Sequence, residues 1–246
     1  MDISIKERIE VDFWTNSEDE GPQSNAIENI LEKMAEARIF LEKLKAYRSF
    51  FEKAESVLEL GGGQCWASCL VKHMYPHIHV TATDIAPDAI ASIGKWERIY
   101  ECKVDKTEAC RSYDTPFADQ SFDLIFAYSA AHHFVRHRST LLELHRILRA
   151  GGRALYLHEP SCNAMMHSLA RARVNRNRPE VPEDVLVSSK IEQLARMAKL
   201  EPATFNSPTL TNRLAGPMIY YYALRRAPVL QRILPVTADF VFSRAT

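Results

Sequence analysis

The sequence predicts an α/β protein: a doubly wound, mostly parallel sheet with helices on both faces. Three observations carry this. The stretch Val57-Leu58-Glu59-Leu60-Gly61-Gly62-Gly63-Gln64-Cys65-Trp66 reads as a buried strand ending in a glycine turn, and residues 67–72 can start a helix. Glycine tolerates positive φ and lets a ligand approach the backbone, so such a turn is a place to hold a cofactor. Further β-rich runs alternate with helical stretches, and strands separated by helices pair in parallel. The chain has 246 residues, 46% hydrophobic and 25% charged, an ordinary globular composition and long enough for one large α/β domain or two small ones.

Each element follows from its local pattern. Residues 12–24, with Phe13-Trp14 followed by polar residues and Gly21-Pro22, read as an aromatic anchor and a polar loop. From 25 to about 53 the pattern is helical: Ile27, Ile30, Met34, Ala37, Leu41 and Leu44 recur at three- and four-residue steps, and Asn25 with Glu28 resembles a capping box. After the glycine turn a helix is predicted over 66–74, then a second strand over 78–84 that ends in Asp84. Pro87 opens the next helix, where no backbone donor is lost. A third strand is predicted within 100–113, a fourth over 122–128, a helix over 138–148 and a fifth strand over 153–158. Beyond Glu159-Pro160 the chain turns Arg-, Asn- and Pro-rich as far as Asp184; a helix is predicted over 189–199 and a last strand over 238–243.

Charge and cysteine content narrow the function classes. The formal net charge is zero but uneven: residues 1–135 hold 14 Lys/Arg against 23 Asp/Glu, net −9, and residues 136–246 hold 17 against 8, net +9. The most basic patch, 171–178, suits an acidic substrate, a phosphate or an anionic membrane surface, or else a solvated face. A neutral chain with no separate basic domain is not expected to bind nucleic acid. Five cysteines without paired spacing, and an N-terminus without a basic start and apolar core, predict reduced thiols in a cytoplasmic protein. No apolar run approaches the ~18 residues that span a bilayer; peripheral membrane contact stays open. Cys65 and Cys69 lack a second pair, His73, His77 and His79 read as loop residues flanking the second strand, and no residue is assigned to a metal.

The turn selects the cofactor. Dinucleotide binding wants G-x-G-x-x-G, but here Gly61 and Gly63 are followed by Trp66 at the last position, a poor pyrophosphate turn. A dinucleotide-dependent oxidoreductase is therefore the disfavoured alternative.

The segment from Val57 to Cys65 resembles the first motif of class I S-adenosylmethionine (SAM)-dependent methyltransferases, an acid followed by G-x-G-x-G. The resemblance continues through Thr83-Asp84-Ile85-Ala86-Pro87, through Pro116-Phe117-Ala118-Asp119-Gln120-Ser121-Phe122-Asp123, the pair His132-His133, and Leu148-Arg149-Ala150-Gly151-Gly152. It covers roughly residues 57–160 and is similar to the subgroup that includes quinone-biosynthesis and many small-molecule methyltransferases (methyltransferase type 11-like). It implies a Rossmann-like sheet of seven strands. It also implies a division into an N-terminal helical cap (1–55), a SAM-binding core (56–160), a variable substrate-side insert (161–188) and a C-terminal helix and strands (189–246), all in one domain.

The implied cofactor residues are Glu59 for the amino group, Gly61, Gly62 and Gly63 for the methionine part, Asp84 for both ribose hydroxyls, Ile85 against adenine, and Tyr128 at the end of the fourth strand. The subgroup's acid near the adenine amino group has no counterpart in 110–114, and Cys65 replaces the third glycine. Methyl transfer is an in-line displacement that needs alignment, exclusion of water and, for some acceptors, a base. Base candidates at the carboxyl ends of strands four and five are His132, His133, His158 and Glu159, with His158 and Glu159 placed to face substrate; in this subgroup the His pair commonly shapes the pocket floor. The expected acceptor is a small-molecule, glycan or lipid intermediate, amphiphilic or anionic. A SAM-binding module without catalysis remains the other reading.

Overall fold

The computed structural model describes residues 3–19, 24, 26–176, 183–210 and 215–246. Among them, eight strands form one sheet: β1 (Ser56–Leu60), β2 (His79–Asp84), β3 (Lys106–Ala109), β4 (Phe122–Tyr128), β5 (Leu148–Cys162), β6 (Leu186–Val187), β7 (Leu200–Asn206) and β8 (Val236–Arg244). The order is β3-β2-β1-β4-β5-β8-β7, with β6 paired to β5 off this path. The first five strands are parallel, and β8 runs antiparallel to both β5 and β7. Seven strands form the continuous sheet, and the two-residue β6 makes the eighth. The chain winds from β1 toward β3 on one side and through β4 on the other. Between β1 and β4 lies the switch point, where ligands bind at the carboxyl ends of strands.

Period-two alternation builds two cores. Val57, Leu124, Phe126, Leu155 and Leu157 face one side, while Leu58, Leu60, Ile125, Ala127, Ala154 and Tyr156 face the other. On the first face lie α2 (Ile27–Ala46), α3 (Arg48–Phe51), α4 (Trp66–Met74) and α6 (Ile93–Ile99), which follows α5 (Pro87–Ala91); on the second lie α7 (His137–Ile147) and α9 (Ser188–Met197). The remaining helices are α1 (Ile3–Asn16), α8 (His167–Asn175) and α10 (Ala215–Arg226). None of the helices is long and apolar enough to cross a membrane among the described residues.

The blocks that carry the family resemblance are also structural ties. Asp123 accepts from the amides of Glu55 (3.0 Å) and Ser56 (2.9 Å) and pairs with Arg149 at 2.9 Å, joining the starts of β1 and β4 to the start of β5. A Cβ on Gly152 would lie 2.9 Å from the carbonyl oxygen of Arg149 and 3.0 Å from that of Asp123, so only glycine fits there.

Several local expectations differ from the fold. The segment 12–24, read as an aromatic anchor and polar loop, is helical as far as Asn16; α1 directs Glu7, Glu10 and Trp14 at the cavity and packs Val11, Phe13 and Trp14 beside Ala86 and Ala89. The stripe expected on α2 is only partly buried: Ile27 and Met34 are exposed, while Ala37, Phe40, Lys43 and Leu44 face the core. The second half of α2 anchors it, through the ring contacts of Phe40 and through Lys43, which pairs with buried Asp239 at 2.8 Å. Ala26 directly precedes α2, and Asn25, expected to cap it, lies outside the described residues. His73 sits within α4, and His79 opens β2. Strand β5 is longer than expected at both ends, and β7 fills what the sequence left unassigned. Of the basic patch, 177 and 178 lie outside the described residues. All five cysteines are free thiols.

Candidate functional site

A cavity of about 670 Å³ opens at the carboxyl ends of β1, β2, β4 and β5. Its floor is the glycine turn. Gly61 and Gly63 adopt φ of 68° and 52°, the left-handed region that glycine favours. A Cβ on Gly62 would lie 2.9 Å from the carboxyl carbon of Glu59, so a larger residue there would push that side chain aside. Cys65, in the place of the third glycine, keeps the same backbone form with φ 60° and precedes α4. Its buried side chain offsets a strain of roughly 1–2 kcal/mol.

Two carboxyls flank the turn. Asp84 accepts from the amide of Gly63 at 2.8 Å and from that of Ala86 at 2.9 Å, tying the end of β2 to the turn after β1. Glu59 accepts from the Ser68 amide (3.1 Å) and hydroxyl (2.5 Å) at the start of α4. Burial pushes both up, Asp84 to about 6 and Glu59 to about 7, against the hydrogen bonds that favour their ionised forms. Both therefore favour a cationic or hydrogen-bond-donating partner in the cavity.

Glu59, Gly61, Gly62, Gly63, Asp84, Ile85, Tyr128, His132 and His158, all singled out in the sequence, line this one cavity. Glu159 does not. It is fully buried, one oxygen accepting from the amides of Ala130 and Ala131 at 2.9 Å each, the other from the His132 amide at 3.1 Å and from His132 Nδ1 at 2.8 Å. Those bonds hold the one-turn segment Ala131–His133 in place. Glu159, expected to face substrate as a base candidate, instead lies outside the cavity lining and braces the turn.

His158 occupies an irregularity in the β5–β8 pairing, with φ 59°. That bend aims a residue of a central strand into the cavity. Its ring stacks on Tyr128 at 5.7 Å, and its Nδ1 lies 2.9 Å from Thr209 Oγ1. Burial pushes its imidazole down to about 4, so it is neutral at pH 7.

Sequence reasoning missed Glu7 and Glu10 of α1 and read Trp14 only as part of an aromatic anchor. Trp14 packs against the turn, where a Cβ on Gly63 would come within 3.0 Å of its ring. Glu7 bonds Arg111 at 3.1 Å and also Tyr113, bringing an acid to the end of the cavity where 110–114 has none lining it. Glu10 lies 3.4 Å from His133 Nδ1. The signal was present as the spacing Glu7, Glu10, Trp14, which puts three side chains on one helix face.

Residues 58–156 match the family model described as a methyltransferase domain. That match bears out the resemblance to class I SAM-dependent methyltransferases over the segment from β1 into β5. The chain's fold agrees with solved structures at low sequence identity. A geranyl diphosphate C-methyltransferase from Streptomyces coelicolor A3(2) superimposes with a TM-score of 0.72 at 13% identity, covering 100% of each chain. The YcgJ protein from Bacillus subtilis gives 0.59 at 16%, covering 78% of this chain and 92% of its own. The cyclase SpnF gives 0.59 at 14%, covering 78% and 75%. No curated protein sequence matches the chain. SAM is the cofactor of this methyltransferase family, and the cavity fits it in size and donor set: about 670 Å³, a glycine turn with Gly61 and Gly63 in the left-handed region, and carboxyls at the ends of β1 and β2.

Proposed function

We propose that this methyltransferase domain is an active SAM-dependent enzyme acting on a small, amphiphilic, anionic acceptor. The observation that carries the reading is the bond from the Gly63 amide to Asp84 at 2.8 Å, which joins the two cofactor motifs at one cavity. SAM supplies a methyl group already activated on a sulfonium, so the protein's work is binding, alignment and exclusion of water.

Each role rests on placement. Asp84 accepts the ribose hydroxyls, Glu59 the amino group directly or through water, and the turn 61–63 passes close to the methionine part. Ile85 lies against adenine, with Glu7 the carboxylate nearest that end. Tyr128, whose hydroxyl donates to the Glu36 carbonyl at 3.1 Å, walls the cavity beside His158. Trp14 covers the turn and keeps water from it.

On the acceptor side His158 is the group proposed to receive a proton. Thr209 Oγ1 donates to the Ser207 carbonyl at 3.2 Å, leaving its lone pairs for His158 Nδ1–H and Nε2 unprotonated. An imidazole pushed down to about 4 is a weak base. It suits orienting an acceptor, or taking a proton that is already acidic, better than ionising a neutral alcohol.

The acceptor class is drawn from exposed side chains on the elements that follow β5 and on α10. Met165, Leu169, Ile219, Tyr222, Val229 and Ile233 are exposed. Arg173 stands 5.8 Å over the Tyr220 ring and Arg226 5.2 Å over that of Tyr222, while neighbouring Tyr221 lines the cavity. Exposed apolar side chains together with arginines stacked on Tyr220 and Tyr222 suit an anionic amphiphile, and one structural neighbour is a geranyl diphosphate methyltransferase.

The test is calorimetric titration with SAM, its demethylated product and NAD, followed by transfer of labelled methyl to prenyl diphosphates, acidic lipids and phenolic quinone precursors. SAM binding with transfer to one of these is the expected result. SAM binding with no transfer to any would favour the non-catalytic module, and NAD binding without SAM binding would overturn the cofactor assignment.

A further inference from the structure

We propose that His132, His133 and Glu183 form a binding site for one divalent transition-metal ion on the wall of the cavity. Each offers a donor atom, and the three atoms lie within 4.8 Å of one another. Donors held at about 2.0–2.2 Å from a common ion lie roughly 3–4 Å apart, so the triangle closes on a metal with about an ångström of side-chain movement.

The surroundings are those of a ligand set rather than of a chance cluster. Metal-binding histidines are usually held through their other ring nitrogen by a carboxylate or carbonyl. Here both are. His132 Nδ1 lies 2.8 Å from Glu159, itself locked by three backbone amides, and His133 Nδ1 lies 3.4 Å from Glu10 of α1. Each pairing selects the tautomer whose Nε2 carries a lone pair. The turn Ala131–His133 brings these adjacent rings together, with centroids 4.2 Å apart.

The third ligand comes from beyond β5, and its backbone is clamped. Asn175 donates to the Glu183 carbonyl at 2.8 Å and accepts from its amide at 3.0 Å. The adjoining Asp184 accepts from His167 at 3.0 Å and from the Val185 amide at 2.9 Å. Two imidazoles and one carboxylate favour Zn²⁺, Fe²⁺, Co²⁺ or Mn²⁺ over Mg²⁺ or Ca²⁺ and leave coordination positions open. All three ligands line the cavity, so those positions face its interior. Resting on the methyl-transfer reading, the ion would hold an oxygen-donor acceptor such as a diphosphate or phenolate; the site itself does not depend on that reading.

The experiment uses the full chain, freed of metal by a chelator and titrated with Co²⁺ and Zn²⁺ in the absence of SAM. The expected result is one ion per chain, with visible Co²⁺ absorption and with the His132 and His133 imidazole resonances shifting first. Glu183→Gln and His133→Asn should each weaken binding by more than about 10-fold, and Glu10→Gln by about 10-fold, with circular dichroism unchanged. Absence of saturable binding, undiminished binding in both ligand variants, or first shifts at His73, His77 and His79 would each overturn the site. A separate SAM titration reports on the cofactor reading, so failure of one is distinguishable from failure of the other.

Discussion

Glu159 and His132 are locked together at 2.8 Å, and the same carboxylate takes three backbone amides from the turn that carries the histidine. A residue that looks like a catalytic acid by position is thus a buried brace that decides where His132 and His133 point. Replacing it should cost stability. Glu159→Gln puts an amide NH₂ among donors, and about 2–4 kcal/mol is expected to be lost in urea denaturation. A loss under about 0.5 kcal/mol, the range of neutral surface changes, would contradict this role.

Asp84 is tied to Gly63 and Ala86, and is proposed to accept both ribose hydroxyls. Asp84→Ala should weaken SAM binding by about 10–100-fold, the size of one or two charge-assisted hydrogen bonds. Calorimetry of the variant, with its fold checked by circular dichroism, reads this directly. Unchanged affinity would remove the cofactor assignment.

The raised carboxyls predict a pH dependence with a definite sign. Asp84 moves from 3.8 to about 6 on folding and Glu59 from 4.5 to about 7, so between these values the folded chain holds more protons than the unfolded one. Their contribution to stability therefore falls as pH rises from about 4 to about 7. A cationic, hydroxyl-bearing cofactor favours the ionised forms, so SAM affinity should rise over the same interval. Melting temperatures with and without SAM, compared between the parent chain and Glu59→Gln, test both signs. A SAM-induced shift that shrinks with rising pH would refute the assignment.

Gly63 and Trp14 should be coupled. Gly63→Ala combines a φ of 52° with a Cβ 3.0 Å from the Trp14 ring, and a loss of about 2–3 kcal/mol is expected. With Trp14→Ala also present the contact is relieved while the backbone strain stays, so a double-mutant cycle should show about 0.5–2 kcal/mol of interaction. Additive effects would mean that α1 does not rest on the turn.

The sequence by itself determined the sheet core. Alternation along β1, β4 and β5, the run of glycines before Trp66, Asp84 at the end of β2 and the block around Asp123 are local patterns. Local patterns survive in a linear string because side-chain direction in a strand repeats every two residues. Only the tertiary structure decided the rest. Helix α1 hid because its inward side mixes Glu7 and Glu10, which meet the cavity, with a short apolar cluster of Val11, Phe13 and Trp14 against Ala86 and Ala89. Lys43 and Asp239 pair across 196 positions, and Glu159 reaches back 27 positions to His132. Such bonds leave no period in the sequence: a buried polar group is satisfied by whichever partner the fold brings near, and chain distance carries no information about that choice.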